Sequence, residues 1–230
     1  PPRRCKRRPR NAQSMSATEE FARVGAIKGI ITYADGTTTN LFTEFGVSAQ
    51  STVDFNLDAG SPVMGALRAQ CAAIYRLIAG ALDGTPYRGV HAFVGDAFFD
   101  ALIAHPEVRQ TYLNQTGGSE LRAPYINGGQ SGAFGSFEFG GIVWENYRGK
   151  VGATDFIATD EAYFFPTGTP GLFKTVYAPA DYIETVNKPG QRLYLKQYAM
   201  PNDKGIHFDT QMNALSYCTR PGALVKGTRT

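Results

Sequence analysis

An α+β fold is what this sequence predicts, and three features predict it. From Ser61 to Leu82 apolar residues recur at steps of three and four, the spacing of one helix face. Segments such as IKGIITY and GSFEFGGIVW alternate apolar and polar residues, the spacing of strands. The stretch Ala162 to Asn187 is apolar and aromatic but broken by Pro166, Pro170, Pro179, Gly168 and Gly171, so it reads as short strands joined by shaped turns.

Length and composition set the bounds. A chain of 230 residues can bury about 70–75% of the surface its unfolded form exposes. With 43% apolar residues, 19% charged residues, 26 Gly and 13 Pro, it is neither a disordered chain nor a fibre. The net charge of +3 hides an asymmetry: the first ten residues hold six bases and no acid, leaving 17 bases against 20 acids in the rest. Only that basic segment argues for nucleic acid. Cys5, Cys71 and Cys218 match no zinc or redox spacing and read as reduced thiols. The most apolar window, Ala66 to Leu82, contains Arg68, Gln70 and Arg76 and falls short of the ~20 apolar residues of a membrane span.

In chain order, residues 1–17 read as a basic mobile arm whose Arg3, Arg4, Lys6, Arg7, Arg8 and Arg10 could neutralise phosphates without sequence preference. A short helix is predicted over Thr18 to Val24, then a strand, a turn at Asp35-Gly36 and a second strand over Thr37 to Leu41. Ser61-Pro62 is a helix start. Met64, Leu67, Cys71, Ile74, Ile78 and Leu82 form the stripe that follows, ended by Gly80 and Gly84. Val90 to Gly95 is a strand candidate. Asp96 would cap a helix burying Phe98, Phe99, Leu102 and Ile103, and Pro106 starts another.

Several residues invite chemistry, and each has a plainer reading. His91 and His105 lack partners at ligand spacing and are read as structural. Gly128, Gly129, Gly132 and Gly135 fit neither a dinucleotide fingerprint nor a P-loop. Gly129 to Ala133 nearly matches a nucleophile elbow around Ser131, with His207 downstream, so a serine hydrolase using Ser131 and His207 is the alternative reading. Asp155, Asp160 and Glu161 form an acidic cluster read as a solvated loop face. No catalytic residue, cofactor or metal is assigned. Strands are predicted over Arg192 to Met200, Gly205 to Met212 and Ala214 to Thr219.

The stretch from Ala162 to Asn187 is expected to present a fixed surface through Phe164, Phe165, Phe173, Tyr177 and Tyr182. Its wording is specific: Phe165-Pro166, Gly168, Phe173, Ala178-Pro179-Ala180-Asp181-Tyr182, Glu184-Thr185-Val186-Asn187, Gly190, Tyr194 and Lys196-Gln197, followed by Arg220, Pro221, Leu224 and Val225. In these residues the chain resembles the lambda-type phage major capsid protein E family, from about Glu19 to Val225. The resemblance implies a structural protein and no enzyme, with the Hong Kong 97-like α+β capsid fold. It divides the chain into the arm (1–17), a short helix and hairpin belonging to a peripheral domain (18–60), an axial-like domain (61–189) and C-terminal strands returning to the peripheral domain (190–230). The family's N-terminal arm, extended loop and most of its spine helix are expected to lie outside this sequence.

The implied function is that of a major capsid subunit of a tailed bacteriophage or prophage. It would self-assemble through hexamers and pentamers into an icosahedral shell around DNA, in the virion and, during assembly, in the host cytoplasm. Scaffold, decoration and portal proteins are the other partners the resemblance implies. Composition leaves a phage tail or adhesion module open as well.

Overall fold

A computed structural model describes residues 7–33, 35–113, 133–152 and 154–230. The chain opens with helix α1, Arg7–Lys28, followed by strands β1 (Ile30–Thr32) and β2 (Thr38–Asn40), the short helix α2 (Leu41–Glu44) and β3 (Val53–Asp54). Then come α3 (Ala66–Leu82), β4 (Gly89–Val94), α4 (Asp96–Ala104) and α5 (Pro106–Leu113). The strands β5 (Ala133–Phe139), β6 (Ile142–Tyr147), β7 (Lys150–Val151), β8 (Thr154–Asp155) and β9 (Glu161–Thr167) follow. The chain ends with β10 (Phe173–Tyr177), β11 (Tyr194–Ala199), β12 (Ile206–Gln211), β13 (Ala214–Cys218) and β14 (Val225–Thr228).

A six-stranded sheet in the order β3-β14-β9-β4-β6-β5 is the frame. β4 runs parallel to β6, and β14 parallel to β3, while the other neighbours are antiparallel. The outermost strand β3 and its neighbour β14 come from outside residues 61–189, so this sheet draws on three of the spans drawn from sequence. One face is covered by α3 and α4. The predicted stripe on α3 is real: Leu67, Cys71, Ile74, Ile78 and Leu82 are all buried, against Val90, Ala92, Val94, Phe98, Leu102 and Trp144. Trp144 hydrogen-bonds its indole N–H to the Phe139 carbonyl at 3.1 Å, which removes the cost of burying that donor.

The start of α3 corrects the expectation drawn from Ser61-Pro62. The helix begins at Ala66, and Val63 and Met64 are exposed. Gly65 provides no side-chain cap; Glu107 on α5 accepts from the Leu67 N–H at 3.2 Å and serves as the cap from forty residues away. α4 likewise has Gly95 rather than Asp96 at its cap position, because Asp96 is held by the Arg148 guanidinium at 2.8 Å. Gly95 is required there, since a Cβ would come within 2.1 Å of the Ala158 carbonyl oxygen.

The N-terminal helix also differs from expectation. It starts at Arg7 rather than Thr18, so the stretch from Arg7 to Ala17, expected to be mobile, is helical, and α1 has 22 residues. Arg, Ala, Gln and Met are good helix formers, and a helix already nucleated by docking of its C-terminal half propagates at little cost per residue. Arg3, Arg4 and Lys6 lie outside the described residues, as do Gly128, Gly129, Ser131 and Gly132.

Strand β9 encloses part of the aromatic stretch expected to form a surface, while Phe173 farther along is exposed. Ala162 and Phe164 point into the α3 side of the sheet, while Tyr163 and Phe165 belong to two smaller clusters on the opposite side. Phe164 and Phe165 are buried rather than displayed. Pro166 is tolerated in this interior strand because the β14 ladder reaches only as far as Phe164, opposite Val225. The hairpin β1–β2 forms as predicted, with Asp35 accepting from the Thr37 N–H at 2.9 Å across its turn.

Candidate assembly surface

On the far side of the sheet from α3 lies α1, with β1, β10 and β13 around it. Its contacts with the body are specific. Glu19 is only 2% exposed and accepts from the Tyr177 hydroxyl at 2.7 Å, from Arg23 at 2.7 Å and from the Arg192 Nε at 2.9 Å. Burial alone would raise its pKa, but Tyr177, Arg192 and Arg23 outweigh that and hold the carboxyl below its ordinary value. One carboxylate thus joins α1 to β10 and to the loop that enters β11. Gly190 in that loop is pressed on the end of β10, where a Cβ would lie 2.0 Å from the Tyr177 carbonyl oxygen.

At its other end α1 is tied by Lys28, which donates to the Phe156 carbonyl at 2.9 Å and sits over the Tyr163 ring, 5.5 Å from its centroid. Desolvation lowers its pKa. Glu20 accepts from the Tyr147 hydroxyl, and burial together with that bond pushes the phenol well up.

Beyond these ties the molecule displays apolar side chains. The hairpin β11–β12 forms a two-stranded sheet of its own, and Leu195, Tyr198 and Ile206 on it are exposed, as are Ile183, Val186 and Leu193 before it. A groove of about 520 Å³ runs between α1, β1 and the β10–β13 ladder, lined chiefly by Ile31, Tyr33, Val176, Ala178, Met212 and Leu215.

Among the described residues, those singled out for chemistry do not converge. His207 lies exposed on the projecting hairpin with its ring 5.1 Å from that of Tyr198, and Ser131 is outside the described residues. His91 pairs with Glu145 at 2.8 Å and stacks on Phe165. His105 is buried, and its Nδ1 accepts from the Glu107 N–H. Burial pushes the Cys71 thiol up to about 12 and Cys218 up to about 11, which keeps both protonated and unreactive.

The acidic cluster is dispersed into ion pairs: Asp160 with Arg229, and Glu161 with Lys226, while Asp155 stays exposed on β8. Among the described residues no three His, Cys, Asp or Glu are grouped to hold a metal ion, and no helix is long and apolar enough to cross a membrane. The Glu19 clamp was missed by sequence reasoning, since nothing local marks Glu19 as the partner of Arg192.

A tethered helix on one face of a sheet and two helices on the other make up an α+β fold shared with a solved capsid protein. A crystal structure assigned as the capsid protein of an Escherichia coli CFT073 prophage superposes with a TM-score of 0.62 over 94% of this chain and 64% of that one, at 14% identity. The chain belongs to the phage major capsid protein E family, whose sequence profile matches residues 9–229. The major capsid protein of Pseudomonas phage KPP10 is 28% identical over 226 residues, and that of Salmonella phage Felix O1 is 28% identical over 234. These matches take in 92% and 90% of the chain but only 64% and 63% of the relatives' own lengths.

Proposed function

We propose that this chain is the major head subunit of a tailed bacteriophage or prophage, which associates with copies of itself into hexamers and pentamers of a closed shell around DNA. The family match over residues 9–229 carries this reading. Its work is contact rather than turnover. Repeated, shape-complementary interfaces close a shell when their rotations close, and each copy needs rigid elements to hold those surfaces in register. The clamp of Glu19 on Tyr177 and Arg192 supports this role, because it fixes the loop entering β11 to helix α1.

The subunit is a component of the virion, assembled in the host cytoplasm, and it meets scaffold, decoration or portal proteins there. Arg3, Arg4, Lys6, Arg7, Arg8 and Arg10 face the packaged DNA in the same reading, as non-specific phosphate contacts. Removing residues 1–10 is expected to flatten the salt dependence of retention on a DNA column; unchanged retention would remove DNA contact from the proposal.

The reading is tested by light scattering on a gel-filtration column with negative-stain images of each peak. Shells, or rings of five or six, are the expected result. A chain that stays single at every concentration and salt tried counts against it.

A further inference from the structure

Among the described residues, the hairpin β11–β12 and the groove beside α1 are two uncovered apolar features, and they have opposite shapes. In the hairpin, cross-strand register sets Leu195 opposite Thr210, Gln197 opposite Phe208 and Ala199 opposite Ile206, so these six side chains share one face. The other face carries Tyr194, Lys196, Tyr198, His207, Asp209 and Gln211. That polar face has partners within the chain: Lys196 reaches Glu184 at 3.0 Å and lies over the Tyr182 ring. On the apolar face Leu195 is 52% exposed and Ile206 60%. An isolated two-stranded hairpin is marginal in water, and one that also exposes an apolar face is stabilised by being covered.

The root of the hairpin is fixed. Arg192 is held by Glu19, and Asn213 donates to the Pro179 carbonyl at 2.8 Å. The groove begins beside that root and is apolar along Ile31, Tyr33, Val176 and Leu215. Among the described residues β1 pairs only with β2, and β13 only with β10, so unpaired strand edges border the groove.

We infer that the apolar face of β11–β12 in one copy of this chain seats in the groove between α1, β1 and β13 of a second copy. The inference rests on the head-subunit reading and names the contact surface within it. A protruding surface and a receiving one on the same chain make a heterologous contact, which generates rings when the rotation closes, whereas a self-matching patch would stop at a dimer. Size argues the same way. Strands of six residues are about 20 Å long and lie about 5 Å apart. The hairpin face is therefore on the order of 200 Å², well below the roughly 800 Å² per partner of a stable pairwise complex. A contact this small holds only when many identical ones add, as they do in an assembly of one repeated chain.

The test places a photoreactive benzophenone amino acid at Leu195 of the full chain and irradiates a mixture of isotopically labelled and unlabelled copies. Cross-links between labelled and unlabelled peptides are expected at residues 31–33, 176–178 or 212–216. Cross-links confined to one copy, or falling elsewhere between copies, overturn the inference.

A pair of variants separates it from the broader reading. Ile206→Asp and Val176→Asp, each at an exposed position, are expected to raise the concentration needed for association at least tenfold. Mixing the two should leave association impaired, because each mixed pair keeps only one intact contact, too small to hold alone. If Ile206→Asp assembles like the unaltered chain, the docking is wrong and the head-subunit reading stands. If the unaltered chain never associates, both fall.

Discussion

Strand β9 and the hairpin β11–β12 are built from similar residues and meet opposite fates. β9 reads EAYFFPT and is buried on both faces; β11 reads YLKQYA and is exposed on most of its length. Both carry aromatics, and neither is markedly more polar than a strand need be. The difference lies in their neighbours: β9 has β14 and β4 beside it, the α3 core above and the α1 clusters below, whereas β11 has β12 alone. Aromatic content therefore does not distinguish a core strand from an exposed one.

The comparison breaks most visibly at Phe164. Its ring stacks with Phe55 at 5.6 Å and meets Trp144 edge-on at 5.2 Å. Phe164→Ala is expected to cost about 3–5 kcal/mol, measured by urea unfolding, because the surrounding sheet cannot collapse into the space. A loss below 1 kcal/mol would mean that β9 is not the centre of the core.

Glu19→Gln should come next, at about 1.5–3 kcal/mol, since it removes charge-assisted hydrogen bonds from a buried acceptor. The effect depends on pH in a stated direction. The folded carboxyl lies below its ordinary value of 4.5, so its stabilisation is present above that value and is lost as pH falls toward the lowered one. The gap between the unaltered chain and Glu19→Gln should therefore narrow below about pH 4.5. A gap unchanged from pH 7 to pH 3 would show that folding does not shift the Glu19 carboxyl.

Ile206→Asp should change the stability of the single chain least, by about 0.5 kcal/mol or less, because its side chain is already largely in water. Its effect belongs to association. A large drop in the melting temperature of the single chain would place Ile206 against its own copy and remove the contrast with β9.

Much of the fold was legible where the signal was local. The stripe from Leu67 to Leu82, the Asp35-Gly36 turn and the strands around Phe137 and Trp144 follow from periods and turn residues. Gly140 and Gly141, at φ 62° and 80°, make the tight turn between β5 and β6 that side-chain-bearing residues disfavour. The start of α3 was misplaced because its cap is Glu107, supplied by another helix. The start of α1 was misplaced because like charges suggest an arm, while docking of the same helix farther along decides otherwise.

By itself, then, the sequence determined the class of the elements and the face that α3 buries, since both are written in spacing a few residues long, and the family is legible in the particular residues from Phe165 to Gln197. Tertiary structure decided that β9 is enclosed and β11–β12 is not, and that Glu19 meets Tyr177 and Arg192 across separations of 158 and 173 residues. The physical reason is that burial and ion pairing depend on which surfaces meet. The entropy of closing such long loops grows only slowly with length, so sequence distance neither favours nor forbids a given pair.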